Sequence, residues 1–180
     1  EKQEFIKVLE ASIDSVPHLR GVNNHMGSLL TRMPQQMGWL MGVLKERHLY
    51  FIDSRTSVET AAESMANFYQ LPNLRRHVFL DNDRNMEAIN IQFERLLKLA
   101  TTQEVTVAIG HPYPETIQFL QQKIPSLQLR GYRLALVSEV IAKADCNAAS
   151  FTAAIFKSPC QQPQSSLAIA QLPAALSPIN

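Results

Sequence analysis

The feature that most constrains this chain is a regular alternation of short apolar runs with longer segments whose apolar residues recur at helical spacing. The runs are HLRGVNN, ending at Asn24, LYFID (Leu49 to Asp53), HVFLD (His77 to Asp81), VTVAIG (Val105 to Gly110) and YRLALV (Tyr132 to Val137). Between them lie helical patterns: Phe5, Leu9, Ile13 and Val16 before Pro17; Met37, Leu40, Met41 and Leu44 after Pro34; and Val58, Ala61, Ala62, Met65 and Phe68 before Pro72. Met86, Ile89, Phe93, Leu96, Leu97 and Ala100 follow, then Ile117, Leu120 and Ile124 after Pro114, and a short helix from Ser138 to about Ala144. Strands that are apolar throughout need cover on both faces, and helices between them carry right-handed crossovers. The expected fold class is α/β, with parallel strands flanked by helices.

The pattern ends near Ala144, so the expected domain covers residues 1–145, with a Pro/Ser/Gln-rich tail over 146–180 that is expected to be flexible. At 180 residues the chain suffices for one core, and a net charge of +1 without a basic stripe argues against nucleic-acid binding. No apolar run approaches the roughly 20 residues of a membrane span. Cys146 and Cys160 show no zinc-site spacing, and pairing and free thiols remain equally open.

In parallel α/β folds ligands bind outside the carboxyl ends of the strands, where loops and helix N-termini converge. Here the strand ends carry Asn23, Asn24 and His25; Asp53, Ser54 and Arg55; Asp81, Asn82 and Asp83; His111; and Ser138 and Glu139. Asp, Asn and Ser are also preferred helix N-caps, and that reading is favoured for Asp83 and Ser138. For Asp53 a functional role is favoured slightly, because Ser54 and Arg55 follow it. His18, His48 and His77 read as surface or helix-terminal residues, whereas His25 and His111 sit in strand-end loops shaped by glycine or proline. Pro112 and Pro114 stiffen the connection around Tyr113. With Asp53 between them in sequence, the two histidines form a candidate metal or acid/base constellation.

The motifs GVNNHMGS, LYFIDSRT, VFLDND and AIGHPYPET, in this order over roughly residues 1–145, resemble the divergent polysaccharide deacetylases, a branch of the NodB-homology enzymes. The resemblance implies an incomplete (β/α) barrel of the NodB-like type and a periplasmic or extracytoplasmic protein acting on acylated glycans. It also implies a divalent metal, zinc, held by an aspartate and two histidines. By position, His25 matches the metal-site histidine, with Asn24 beside it. His111 matches the general acid, Asp53 the acidic residue that orients the catalytic histidine or binds substrate, and Asp81 a weaker pocket carboxylate. Arg55 and Tyr113 join the substrate-binding set.

The family's paired aspartates and its His-x-Pro loop have no counterpart in this sequence. The chain is therefore expected to be the C-terminal portion of the fold, its remaining metal ligands coming from a complementary N-terminal segment or a partner chain, and to be inactive alone. Two alternatives stand beside the deacetylase: a non-catalytic glycan-binding or cell-envelope assembly protein on the same scaffold, and a flavodoxin-like binding domain, which lacks the support of a glycine-rich phosphate loop.

Overall fold

A computed structural model of the protein describes residues 1–149. Its helices are α1 (Lys2–Asp14), α2 (Pro34–Glu46), α3 (Ala62–Phe68), α4 (Met86–Ala100), α5 (Pro114–Leu127) and α6 (Val137–Ala149). Its strands are β1 (Gly21–Asn23), β2 (Tyr50–Asp53), β3 (Asn73–Arg75), β4 (Val78–Phe79) and β5 (Ala108–Ile109). All pairings are parallel: β1 with β2, β2 with β3, and β4 with β5. The chain changes partner between β3 and β4. There Arg76 N–H donates to the Asp53 carbonyl at 2.8 Å, and His77 N–H donates to the Val107 carbonyl at 2.8 Å. The expected architecture holds, as an open arrangement of parallel strands flanked by helices with no closed barrel among the described residues.

Two apolar clusters hold the arrangement. In the first, Met37, Leu40, Met41 and Leu44 of α2 pack with Phe51 of β2 and with Ala62 and Ala66 of α3, and α1 adds Ile13. These are the α2 positions predicted for the core, and truncating Met41 or Leu44 to Ala would cost about 2–5 kcal/mol. An ion pair between Arg47 and Asp14 ties the end of α2 to α1. The second cluster joins Val78, Leu80, Ile89, Phe93, Leu97, Phe119 and Leu127, with the Phe93 and Phe119 rings edge to face at 5.3 Å.

The structure departs from the sequence expectation in several places. YRLALV forms no strand: nothing among the described residues pairs with it, Leu134 and Leu136 are 63% and 67% exposed, and α6 already begins at Val137. Asn73–Arg75, which was not expected as a strand, completes the β2 ladder. Helix α3 starts at Ala62, not Val58, because the Thr60 hydroxyl accepts the Ala62 N–H at 3.2 Å and opens the first turn there. On α5 the buried face is Thr116, Phe119 and Leu127, while Ile117 and Ile124 are exposed. Asn85, not Asp83, caps α4 by accepting the Ala88 N–H at 2.8 Å, and Ser138 lies inside α6.

Helix α6 continues past the expected boundary at residue 145. The tail over 150–180, Cys160 and the Cys146 side chain lie outside the described residues. No helix among the described residues is long and apolar enough to cross a membrane.

Candidate functional site

Because all strands run the same way, the residues that follow them collect along one edge. Ladder pairs Asn23 with Ile52, Asp53 with Arg75, and Phe79 with Ile109 bring those ends level. The Asp53 side chain is fully buried there. One of its oxygens accepts the Arg55 N–H at 2.8 Å, a turn that closes over Ser54, and the other accepts the Thr60 hydroxyl at 3.1 Å. Asn23 and Asn24 bind the same turn: the Asn23 amide donates to the Ser54 hydroxyl at 2.7 Å, and the Asn24 side-chain oxygen accepts the Ser54 N–H at 2.9 Å. Arg76 clamps it from the far side, donating to the Ser54 and Arg55 carbonyls at 2.5 and 2.9 Å.

This network holds left-handed backbone at residues with side chains, Met26 (φ 59°) and Arg55 (φ 48°), which is disfavoured by roughly 1–2 kcal/mol each. Burial of the Arg76 guanidinium, with Arg55 nearby, lowers its pKa. Arg55 itself lies 3.7 Å from Glu63, and Arg75 pairs with the same carboxylate at 3.2 Å.

The second buried carboxylate, Asp81, follows β4 and is 3% exposed. Its oxygens take the His111 N–H at 2.5 Å, the His111 Nδ1 at 3.0 Å and the Thr116 hydroxyl at 2.9 Å. Gly110 lets the backbone come this close, since a Cβ there would stand 3.3 Å from the Asp81 carboxylate. Burial pushes the Asp81 carboxyl up, but the hydrogen bonds from His111 and Thr116 together outweigh it, and its pKa lies below the ordinary value. With Asp81 at Nδ1, the tautomer and orientation of the imidazole are set, and Nε2 is left as the atom to exchange a proton or bind a ligand.

Aromatic rings surround this dyad. The exposed His25 ring stands edge to face with His111 at 5.9 Å, Phe79 lies 5.6 Å away, and Tyr113 lies 5.0 Å away, tilted by 34°. Tyr113 caps the N-terminus of α5 just before Pro114, so the stiff His-Pro-Tyr-Pro connection presents both rings. The Arg84 guanidinium lies over the Tyr113 ring, its carbon 3.7 Å from the ring centroid.

Comparison with known proteins places this geometry. The family model described as divergent polysaccharide deacetylase matches residues 1–141. The chain belongs to that family. It is 38% identical over 124 residues to the uncharacterized protein YibQ of Escherichia coli, a match covering 69% of this chain and 39% of YibQ. It is 41% identical over 107 residues to an uncharacterized protein of Haemophilus influenzae, covering 59% of this chain and 38% of that protein. The chain thus spans well under half the length of these curated relatives. The crystal structure of the uncharacterized protein ATU2773 from Agrobacterium tumefaciens shares the fold, with a TM-score of 0.69 at 19% identity over 73% of this chain and 56% of that one.

Within this divergent deacetylase scaffold, the sequence-derived residues fall into two groups. His25, Asp81, His111 and Tyr113 converge. Asn24, Asp53 and Arg55 organise the neighbouring loop. The carboxylate on the His111 ring is Asp81, the candidate ranked lower from sequence, and not Asp53. Strand order explains this: β4 pairs with β5, which brings residue 81 beside residue 111, whereas β2 lies on the far side of the β3–β4 switch.

The His25 and His111 ring centroids lie 5.9 Å apart. No group of three His, Cys, Asp or Glu side chains that could hold a metal exists among the described residues. A catalytic zinc centre uses three protein ligands, and an ion at this position would need a further donor.

Thr116 and Arg76 were not anticipated. Thr116 could have been flagged as the lone hydroxyl near the start of α5, five residues after His111. His77, taken for a surface residue, instead accepts the Val107 N–H at its Nδ1 at 3.0 Å. Burial and Arg75 lower its pKa, which keeps the ring neutral as that acceptor role requires.

Proposed function

We propose that this chain forms part of a hydrolase that removes N-acetyl or other acyl groups from cell-envelope glycans in a periplasmic or extracytoplasmic setting. The observation that carries the reading is the buried Asp81 against His111 Nδ1, with Nε2 left to work beside His25. Water and amide become amine and carboxylate in this reaction, and the departing nitrogen needs a proton. His111, oriented by Asp81, supplies it. His25 would supply one ligand to a divalent metal, zinc, and a complementary segment or partner chain would supply the others. Such a metal, when bound, polarises the acyl carbonyl and lowers the pKa of water. Asn24 and Arg55 shape the sugar-facing loop, Asp53 holds its turn, and Tyr113 lines the site beside His111.

The test uses the full-length protein loaded with zinc and incubated with acetylated chito-oligosaccharides. Acetate release is expected, falling about 10²–10⁴-fold in His111→Asn, and His25→Ala is expected to lower bound zinc measured by elemental analysis. Release that survives His111→Asn undiminished would sink the reading. A second reading, a glycan-binding or envelope-assembly protein without catalysis, is favoured by Asp53, whose carboxylate is fully engaged by its own loop. It predicts saturable oligosaccharide binding with no acetate released.

A further inference from the structure

Arg84 borders the candidate site through Tyr113. The arginines at the ends of β2 and β3 are all engaged: Arg55 and Arg75 by Glu63, and Arg76 by the Ser54 and Arg55 carbonyls. Arg84 is exposed and forms no ion pair or hydrogen bond among the described residues. Its sequence neighbours are occupied with each other, because the Asp83 carboxylate accepts both the backbone N–H and the side-chain amide of Asn85. The guanidinium instead lies 3.7 Å from the Tyr113 ring centroid, and Tyr113 in turn lies 5.0 Å from His111.

Tyr113 thus touches two groups, the exposed cation of Arg84 and the imidazole of His111. A guanidinium stacked on a ring is restrained in orientation while its edge, which carries the N–H donors, remains free. That fork matches a planar carboxylate in bidentate fashion. Pairing with a protein carboxylate would have blocked it.

We propose that Arg84 is a specificity-determining residue that recognises a carboxylate on the sugar adjoining the acylated one, so that the preferred ligand is an acidic, N-acylated glycan. This deepens the glycan reading of the same site and rests on it. The Tyr113 ring holds the guanidinium in place, and the His111 dyad faces the neighbouring acyl group.

Two probes separate this idea from its alternatives. Hyaluronan tetrasaccharide alternates N-acetylglucosamine with glucuronate, and N-acetylated chitotetraose carries an acetamide on every sugar and no carboxylate. Calorimetric titration of the full-length protein is expected to give roughly tenfold or tighter binding of the acidic probe, in line with a charge-assisted pair. In Arg84→Gln the ratio of the two affinities is expected to fall to about one, and Arg84→Lys, which keeps the charge without the fork, should retain part of it. An unchanged ratio in Arg84→Gln would overturn the proposal, as would the absence of any preference in the wild type. Equal weakening of both probes would also overturn it, showing that Arg84 only positions Tyr113. Acetate release, measured in parallel, tells the two readings apart. A preference that depends on Arg84 without release removes the hydrolase reading alone; release from both probes at ratios insensitive to Arg84 removes this one alone.

Discussion

Asp53 and Asp81 each end a parallel strand, each is buried, and each carboxylate accepts a backbone N–H and a threonine hydroxyl. Their partners set them apart. Asp53 binds Arg55 and Thr60, both within its own loop, and so closes a turn. Asp81 binds across to the next strand's His111 and to Thr116 on the following helix, and so orients an imidazole. Similar chemistry at equivalent positions therefore serves a local fold in one place and a candidate reaction in the other, and the deciding factor is which strand lies alongside.

The largest effect that tests this contrast is on turnover of the full-length protein. Asp81→Asn removes the negative charge from His111 Nδ1 and is expected to lower acetate release by about 100-fold or more. Asp53→Asn keeps an acceptor oxygen for Arg55 and should stay within about tenfold of wild type. Equal losses would break the distinction.

Stability should respond at both sites. Replacing Asp53 by Ala strands the Arg55 N–H and the Thr60 hydroxyl, while replacing Asp81 by Ala strands the His111 N–H and the more deeply buried Thr116 hydroxyl. Each is expected to destabilise by about 1–3 kcal/mol, Asp81→Ala more, read as a shift in urea midpoint at constant slope.

Acid sharpens the comparison further. The Asp81 pKa is depressed, so its contribution is fully present above the unfolded value of about 3.9 and is lost as pH falls through the folded value. A stability-pH curve for Asp81→Asn should lack that part of the acid limb. The His77 pKa is also depressed, because the ring is buried. Its contribution is complete above the unfolded value of about 6.5 and declines as pH falls towards the folded value, where protonation opposes the Val107 hydrogen bond. His77→Gln should flatten that segment of the curve.

Much of this was legible in the sequence wherever the information is local. The α2 core positions, the strands ending at Asn23 and Asp53, and the gathering of His25, His111 and Tyr113 on one edge follow from periodicity and from the direction of parallel strands. What was hidden is non-local. Nothing in the spacing of DSR, DND and GHP says that β4 rather than β2 lies beside β5, and the histidine's partner depends on that choice. YRLALV has the composition of a strand, yet composition supplies no neighbour to pair with. The rotation of α5 was misread because its isoleucines outweighed Thr116, a polar residue drawn inward by a buried carboxylate.

The smallest test separates the two threonines. Thr116→Val preserves the side chain's shape and its contact near Gly110 while removing one hydroxyl donor from Asp81. Thr60→Val removes a donor to Asp53 and also the acceptor that starts α3 at Ala62. Each lost hydrogen bond is worth about 1 kcal/mol, so Thr60→Val should unfold at lower urea than Thr116→Val. Turnover should rank the other way, because the Thr116 hydroxyl steadies the carboxylate that holds His111, whereas Thr60 reaches only the Ser54 turn. If Thr60→Val proves the worse enzyme as well as the less stable protein, the loop after β2 takes part in the reaction and Asp53 regains the role that its position in the motif suggested.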